Sequence, residues 1–148
     1  MAKGRLEWRT CCEIYSKEEE ANPDDNTNYK LRCIQLTKAK IENEVREICK
    51  QQYVIAKHFI EKSEIAQKAV DSRIFYLKTM ADSFRYLVPF EQDQGKLAKL
   101  REQCELRYKE AVDESVDIEW TNPLRLAVYL NYTVYLAEVK LDFKEAIA

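Results

Sequence analysis

Residues 72–87 read SRIFYLKTMADSFRYL, and the spacing inside this stretch decides the fold class. Ile74, Leu77, Ala81, Phe84 and, just beyond it, Val88 step by three and four, the interval that keeps side chains on one face of an α-helix. Lys78, Asp82 and Arg85 step the same way on a different face. One stripe is suited to a core and the other is a ladder of charge. Ser72 is the expected N-cap. Pro89 ends or kinks the helix, because it has no amide hydrogen and restricts Val88.

The same pattern extends in both directions. Residues 1 to about 20 form a first helical stretch that starts abruptly at Lys3-Gly4, like the back half of a longer helix. Asn22-Pro23-Asp24-Asp25-Asn26 breaks it, since proline and Asx residues favour turns. A second helix is expected from about Asn28 to Phe59, with Ile34, Ile41, Val45 and Ile48 at helical spacing. Residues 61–72 read as a polar loop. Beyond Pro89, a turn at Gln92 to Gly95 leads into a fourth helix, about 96–116, with Leu97, Leu100, Cys104, Tyr108 and Ala111 inward. Thr121-Asn122-Pro123 is a strong start for a fifth, which runs to about Lys140 and is apolar nearly all round. Such a helix is expected to be buried by neighbours on several sides. After Leu141-Asp142 one or two further helical turns follow. The expected architecture is all-α, an array of antiparallel helices in a single domain over residues 1–148.

Composition agrees and excludes several function classes. Two glycines and three prolines are too few for a hairpin-rich sheet. No apolar run approaches the ~20 residues of a membrane span, and the N-terminus lacks the order of a signal peptide. The expected location is the cytoplasm, with access to the nucleus. A net charge of -2 argues against nucleic acid, whose binding needs a basic excess on one face. The five cysteines lack metal-ligand spacing and the single histidine, His58, has no cluster around it, so no metal or cofactor is expected. The cysteines read as reduced packing thiols. Without a phosphate loop, a nucleophile elbow or a ligand set, the chain does not read as an enzyme.

The chemistry that does stand out is anion recognition. On a helix, Arg5 and Arg9 share a face, with Trp8 beside them. Together with Arg85 and Tyr86 they have the makings of a clamp whose forked donors suit a phosphate dianion. Asn131 and Glu138 are seven apart, on one stripe with Leu124 and Val134. A carboxamide both donates and accepts, which suits holding the main chain of an extended peptide.

Four blocks, GRLEWRTCCEIYSKEEE (4–20), SRIFYLKTMADSFRYL (72–87), NPLRLAVYLNYTVYLAEV (122–139) and FKEAIA (143–148), resemble the 14-3-3 family of phosphoserine and phosphothreonine readers, in that family's chain order. Recognition of phosphorylated motifs by arginine clusters is a general mode of which 14-3-3 proteins are themselves an example. The resemblance covers the region from the middle of the family's third helix to about the start of the eighth. It implies that Arg5, Arg85 and Tyr86 bind the phosphate and that Arg9 lines the same basic pocket. It also implies that Lys78 lies on the groove floor, that Leu130 and Val134 form an apolar wall, and that Asn131 and Glu138 hold the peptide backbone. The implied function is a non-enzymatic adaptor for phosphorylated client proteins, as a homo- or heterodimer. The competing expectation is a phosphate-independent structural or interaction module that pairs through exposed helical faces.

Overall fold

The computed structural model describes residues 2–21, 29–62 and 69–147. The turn expected at Asn22 to Asn26 and half of the polar loop expected at 61–72, residues 63–68, lie outside these. All the regular structure among the described residues is helical: α1 (Ala2–Ala21), α2 (Tyr29–Lys62), α3 (Val70–Leu87), α4 (Gln94–Glu114), α5 (Pro123–Tyr135) and α6 (Phe143–Ile147). A 3-10 turn at Val88–Phe90 follows α3, and a π turn at Leu136–Lys140 extends α5. The chain divides into two compact units, Met1–Ile48 and Cys49–Ala148.

In the first unit, α1 runs antiparallel to the front half of α2. Gly4 faces Val45, close enough that a Cβ would lie 3.3 Å from Val45 Cγ2. Trp8 Nε1 donates to Glu42 Oε1 at 2.6 Å, Gln35 Nε2 donates to Tyr15 Oη at 2.9 Å, and Lys30 pairs with Glu18. Partner positions fall as α1 positions rise, which defines an antiparallel pair. Of the α2 stripe, Val45 is buried and Ile34 and Ile41 are half-buried, but Ile48 is 41% exposed and Cys49 is buried instead. The physical reason is drift. With 3.6 residues per turn, stepping by four from Ile41 through Val45 reaches Cys49, not Ile48.

The second unit continues the same arithmetic. Tyr53 packs on Phe84 with ring centroids 5.1 Å apart, and Phe59 stacks on Tyr76 at 4.7 Å, so the back half of α2 is antiparallel to α3. Arg73 pairs with Glu114, and Cys104 Sγ donates to Ala81 O at 3.3 Å, which sets α4 antiparallel to α3. One core cluster gathers Ala81, Cys104, Tyr108, Tyr135 and Leu136; another gathers Ile74, Leu77, Ala111 and Val128. Each fully buried Ile or Leu stabilises by roughly 1.5–3 kcal/mol, so the α3 stripe is the spine of this unit.

Two boundary expectations need correction, at Ser72 and at the start of the fourth helix; α3 does end ahead of Pro89 as expected, although Val88 itself is not driven out of the helical region. Ser72 is not a cap: α3 begins at Val70, with Ala69 extended at the N-cap position and no side-chain cap bond. The apolar Val70 opens the helix one turn sooner than cap chemistry suggested. Val88, before Pro89, remains in the right-handed helical region at φ -50° and ψ -47°, because Pro89 occupies the first turn of a 3-10 segment, where its missing N–H is not needed. The fourth helix starts at Gln94, capped by Asp93, whose side chain accepts from Lys96 N at 2.9 Å; Gly95 is inside the helix.

The fifth helix starts as read, with Asn122 Oδ1 accepting from Leu124 N at 2.8 Å and Pro123 at its first position. Its burial does not follow the reading. Leu126, Tyr129 and Leu130 are exposed, and only Val128, Tyr135 and Leu136 are buried along its length. The exposed residues occupy a face against which no described element of this unit packs, so local apolarity overstated the number of neighbours.

Candidate functional site

The charged ladder of α3 sits beside α4 and α5, and the three helices bring one group of polar side chains together. Asp82 is at its centre, 9% exposed. Its Oδ2 accepts from Lys78 Nζ at 2.7 Å, one turn earlier on α3. Its Oδ1 accepts from Tyr108 Oη on α4 and from Arg85 Nη2 at 3.3 Å. Asn131 Nδ2, on α5, lies 3.1 Å from both oxygens. A carboxylate has about four acceptor directions, and these donors occupy them.

Arg85 is only 6% exposed. Its Nε donates to Tyr108 Oη at 3.0 Å, and its guanidinium carbon lies 4.7 Å from the centre of the Tyr86 ring. The guanidinium is thus held on one edge by Tyr108 and Asp82 and flanked by a ring face, which leaves its Nη1 donors without a partner among the described residues. Burial works against the charge, but the neighbouring Tyr108 and Asp82 oxygens more than offset it and hold Arg85 above its ordinary range. Burial first, and the Asp82 charge next, push the Tyr108 phenol well above its ordinary value, so it remains a donor.

Of the residues singled out from sequence, Lys78, Arg85, Tyr86 and Asn131 are therefore brought together. Leu130 is 64% exposed and Val134, one turn on, is half-buried; both belong to the outward face of α5. Glu138 is exposed within the π turn. Arg5 and Arg9 belong to the first unit, one turn apart on α1, Arg5 half-buried and Arg9 exposed. Trp8, between them, turns onto α2, with Lys38 Nζ 5.0 Å from its ring centre. A cleft of about 520 Å³ in the same unit has a mainly apolar surface, with Leu6, Cys11 and Ile41 on its wall beside Lys40 and the carboxylates of Glu7 and Glu44.

Two participants were missed by sequence reasoning. Asp82 was visible as a rung of the charged ladder but not as the hub that joins three helices. Tyr108 was read only as an inward-facing residue. The available signal was its hydroxyl, since a tyrosine buried that deeply needs a hydrogen-bond partner. Among the described residues no group of three or more His, Cys, Asp or Glu side chains is placed to hold a metal ion. No helix described is long and apolar enough to cross a membrane.

Comparison with known proteins places these features in a family. A family model described as 14-3-3 protein matches residues 1–148. The chain is 32% identical over 155 residues to a 14-3-3 protein of Eimeria tenella, covering 97% of this chain and 53% of that one. It is 32% identical over 157 residues to 14-3-3-like protein B of Glycine max, covering 97% and 60%, and 29% identical over 142 residues to 14-3-3 protein 2 of Entamoeba histolytica, covering 96% and 56%. The chain thus spans a little over half the length of these relatives. With the all-helical architecture and a match that runs its whole length, the chain belongs to the 14-3-3 family.

Proposed function

We propose that this chain is a non-enzymatic adaptor that binds phosphoserine or phosphothreonine peptides. Arg85 and Tyr86, with Arg5, hold the phosphate, and Arg9 and Lys78 add positive charge around it. Asn131 and Glu138 hold the peptide main chain, and Leu130 and Val134 offer it an apolar wall. The observation that carries the reading is the state of Arg85, a buried guanidinium locked by Tyr108 through Nε and by Asp82 through Nη2, with no partner on Nη1 among the described residues. A donor fixed in this way loses little conformational freedom on binding an anion. Its partners on this reading are phosphorylated client proteins of the cytoplasm and nucleus, and a second 14-3-3 chain.

The experiment is a fluorescence anisotropy titration with a labelled phosphoserine peptide and its unphosphorylated twin. Charge-assisted hydrogen bonds contribute about 1.5–3 kcal/mol, so a preference of at least about 10-fold for the phosphopeptide is expected. Equal affinities dispose of the reading. They would favour the phosphate-independent interaction module, for which the pairing of Arg85 with Asp82 and the exposed Leu126, Tyr129 and Leu130 are the supporting observations. That module predicts self-association in analytical ultracentrifugation without any dependence on phosphopeptide.

A further inference from the structure

Asn131 is usually ambivalent chemistry: a free carboxamide can turn either its oxygen or its nitrogen toward a ligand. Here it is not free. Both of its hydrogen bonds leave through Nδ2, to the two oxygens of Asp82. A carboxylate only accepts, so it attracts the amide hydrogens and repels the amide oxygen. Asp82 cannot turn away in exchange, because Lys78, Arg85 and Tyr108 hold it from α3 and α4. The carboxamide is therefore pinned with Nδ2 toward α3 and Oδ1 on its opposite side. Among the described residues nothing donates to that oxygen.

We infer that Asp82 is a positioning residue that makes Asn131 an acceptor-only reader of a single main-chain N–H, so the groove selects for a peptide that carries a hydrogen at that amide. The inference rests on the peptide-binding reading above and adds to it a rule of selection. A proline at the position read, which has no N–H, is excluded along with any other residue whose amide hydrogen is missing. A carboxamide able to flip would not impose this, because it could meet an N–H with its oxygen or a carbonyl with its nitrogen.

An amide-to-ester scan of the phosphopeptide tests the rule, since an ester removes one N–H at a time with little change of shape. In the wild-type protein one ester position should weaken binding about 5- to 20-fold, since leaving an acceptor unmatched costs on the order of 1–2 kcal/mol. The penalty at that position should vanish in Asn131→Ala. In Asp82→Asn, whatever its absolute affinity, the ratio should fall to under about 3-fold, because Asn131 regains its freedom to turn. A penalty that persists unchanged in Asp82→Asn, or no penalised ester at all while phosphorylation is still distinguished, overturns the inference and leaves the proposed function standing. Indifference of the wild type to phosphorylation overturns both. Should Asp82→Asn fail to fold or to bind, solvent exchange of the Asn131 side-chain amide in the wild type decides, with the signal identified by its loss in Asn131→Ala. Exchange at least about 10-fold slower than exposed side-chain amides is expected, and exchange at their rate overturns the pinning.

Discussion

Tyr108 Oη stands between Arg85 and Asp82, accepting from Arg85 Nε at 3.0 Å while donating to Asp82 Oδ1. A cation and an anion on one helix are thus joined through a phenol on the next, and all three groups are withdrawn from water. The Tyr108→Phe variant keeps the ring and removes only the relay. It leaves a buried guanidinium N–H and a carboxylate oxygen short of a partner, which should cost about 1–3 kcal/mol. Urea denaturation measures this directly. A loss below about 0.5 kcal/mol would mean that water replaces the hydroxyl and that the network is less closed than it looks.

Arg85 itself separates binding from folding. In Arg85→Ala the preference for a phosphopeptide over its unphosphorylated twin should fall about 10- to 100-fold, the range for a lost charge-assisted bond. Arg85→Lys keeps the charge but cannot bridge Tyr108 and Asp82 with a planar fork, so it should recover only part of the preference. Full recovery in the lysine variant would show that charge alone suffices. Titration of both variants, each checked for helicity by circular dichroism, distinguishes these outcomes.

How much of this was legible beforehand follows from where each signal resides. The α3 stripe is a property of one helix, so Ile74, Leu77 and Ala81 could be read as core and are buried. The same reasoning failed on α5, because periodicity reports a helix's own faces and not whether a neighbour exists to cover them. Leu126 and Leu130 are exposed for that reason. Ile48 lost its place to Cys49 because the stripe drifts around a helix of 3.6 residues per turn, stepping by four from Ile41 through Val45 to Cys49. Lys78, Asp82 and Arg85 could be grouped by spacing alone. Their union with Tyr108 and Asn131 could not, since it depends on contacts across 23 to 49 residues of chain. The part assigned to Arg5 was legible only through resemblance to a family.

Glu105 carries a pH signature. Lys109, bonded to its carboxylate, and Lys140, which reaches it at 3.1 Å, hold the Glu105 pKa below its ordinary value against the opposing effect of partial burial. A depressed folded-state pKa adds stability above the unfolded value, about 4.3, and that stability is lost as pH falls through the folded value. Glu105→Gln should therefore be less stable than wild type at pH 7, by under about 1 kcal/mol for so accessible a pair. The difference should shrink toward zero as the pH drops below 4. A gap that stays constant across the acid range would assign the effect to packing instead of charge.

The cysteines divide by burial. Cys49 and Cys104 are fully buried, whereas Cys11, Cys12 and Cys33 are half-buried. Burial pushes the Cys49 thiol up to about 11 and Cys104 higher still. Because the thiolate is the reactive form, iodoacetamide at pH 8 should modify Cys49 and Cys104 only in urea, while the other three react in the folded protein. Intact-mass spectrometry counts the adducts. The linked prediction has a definite sign: a raised folded-state pKa gives stability that is present at neutral pH and is lost from about pH 9 toward 11. Rapid modification of Cys49 in the folded protein would contradict both statements.

Leu141 closes the π turn after α5 with φ 59° and ψ 28°, the only non-glycine residue of positive φ among those described. This left-handed conformation lets its own N–H and that of Asp142 both reach the Leu136 carbonyl, the latter at 2.9 Å, and so turns the chain out of the helix. For a side chain with a Cβ the conformation costs about 1–2 kcal/mol. The leucine recovers little of this, being 67% exposed. Leu141→Gly should therefore relieve the strain, offset in part by the roughly 0.5–1 kcal/mol of extra chain entropy that a glycine loses on folding. The expected net gain is up to about 1 kcal/mol in urea denaturation. Leu141→Val, whose β-branch crowds the left-handed region further, should lose stability relative to wild type. A glycine variant less stable than wild type would mean that the Leu141 side chain contributes more to packing than its exposure implies.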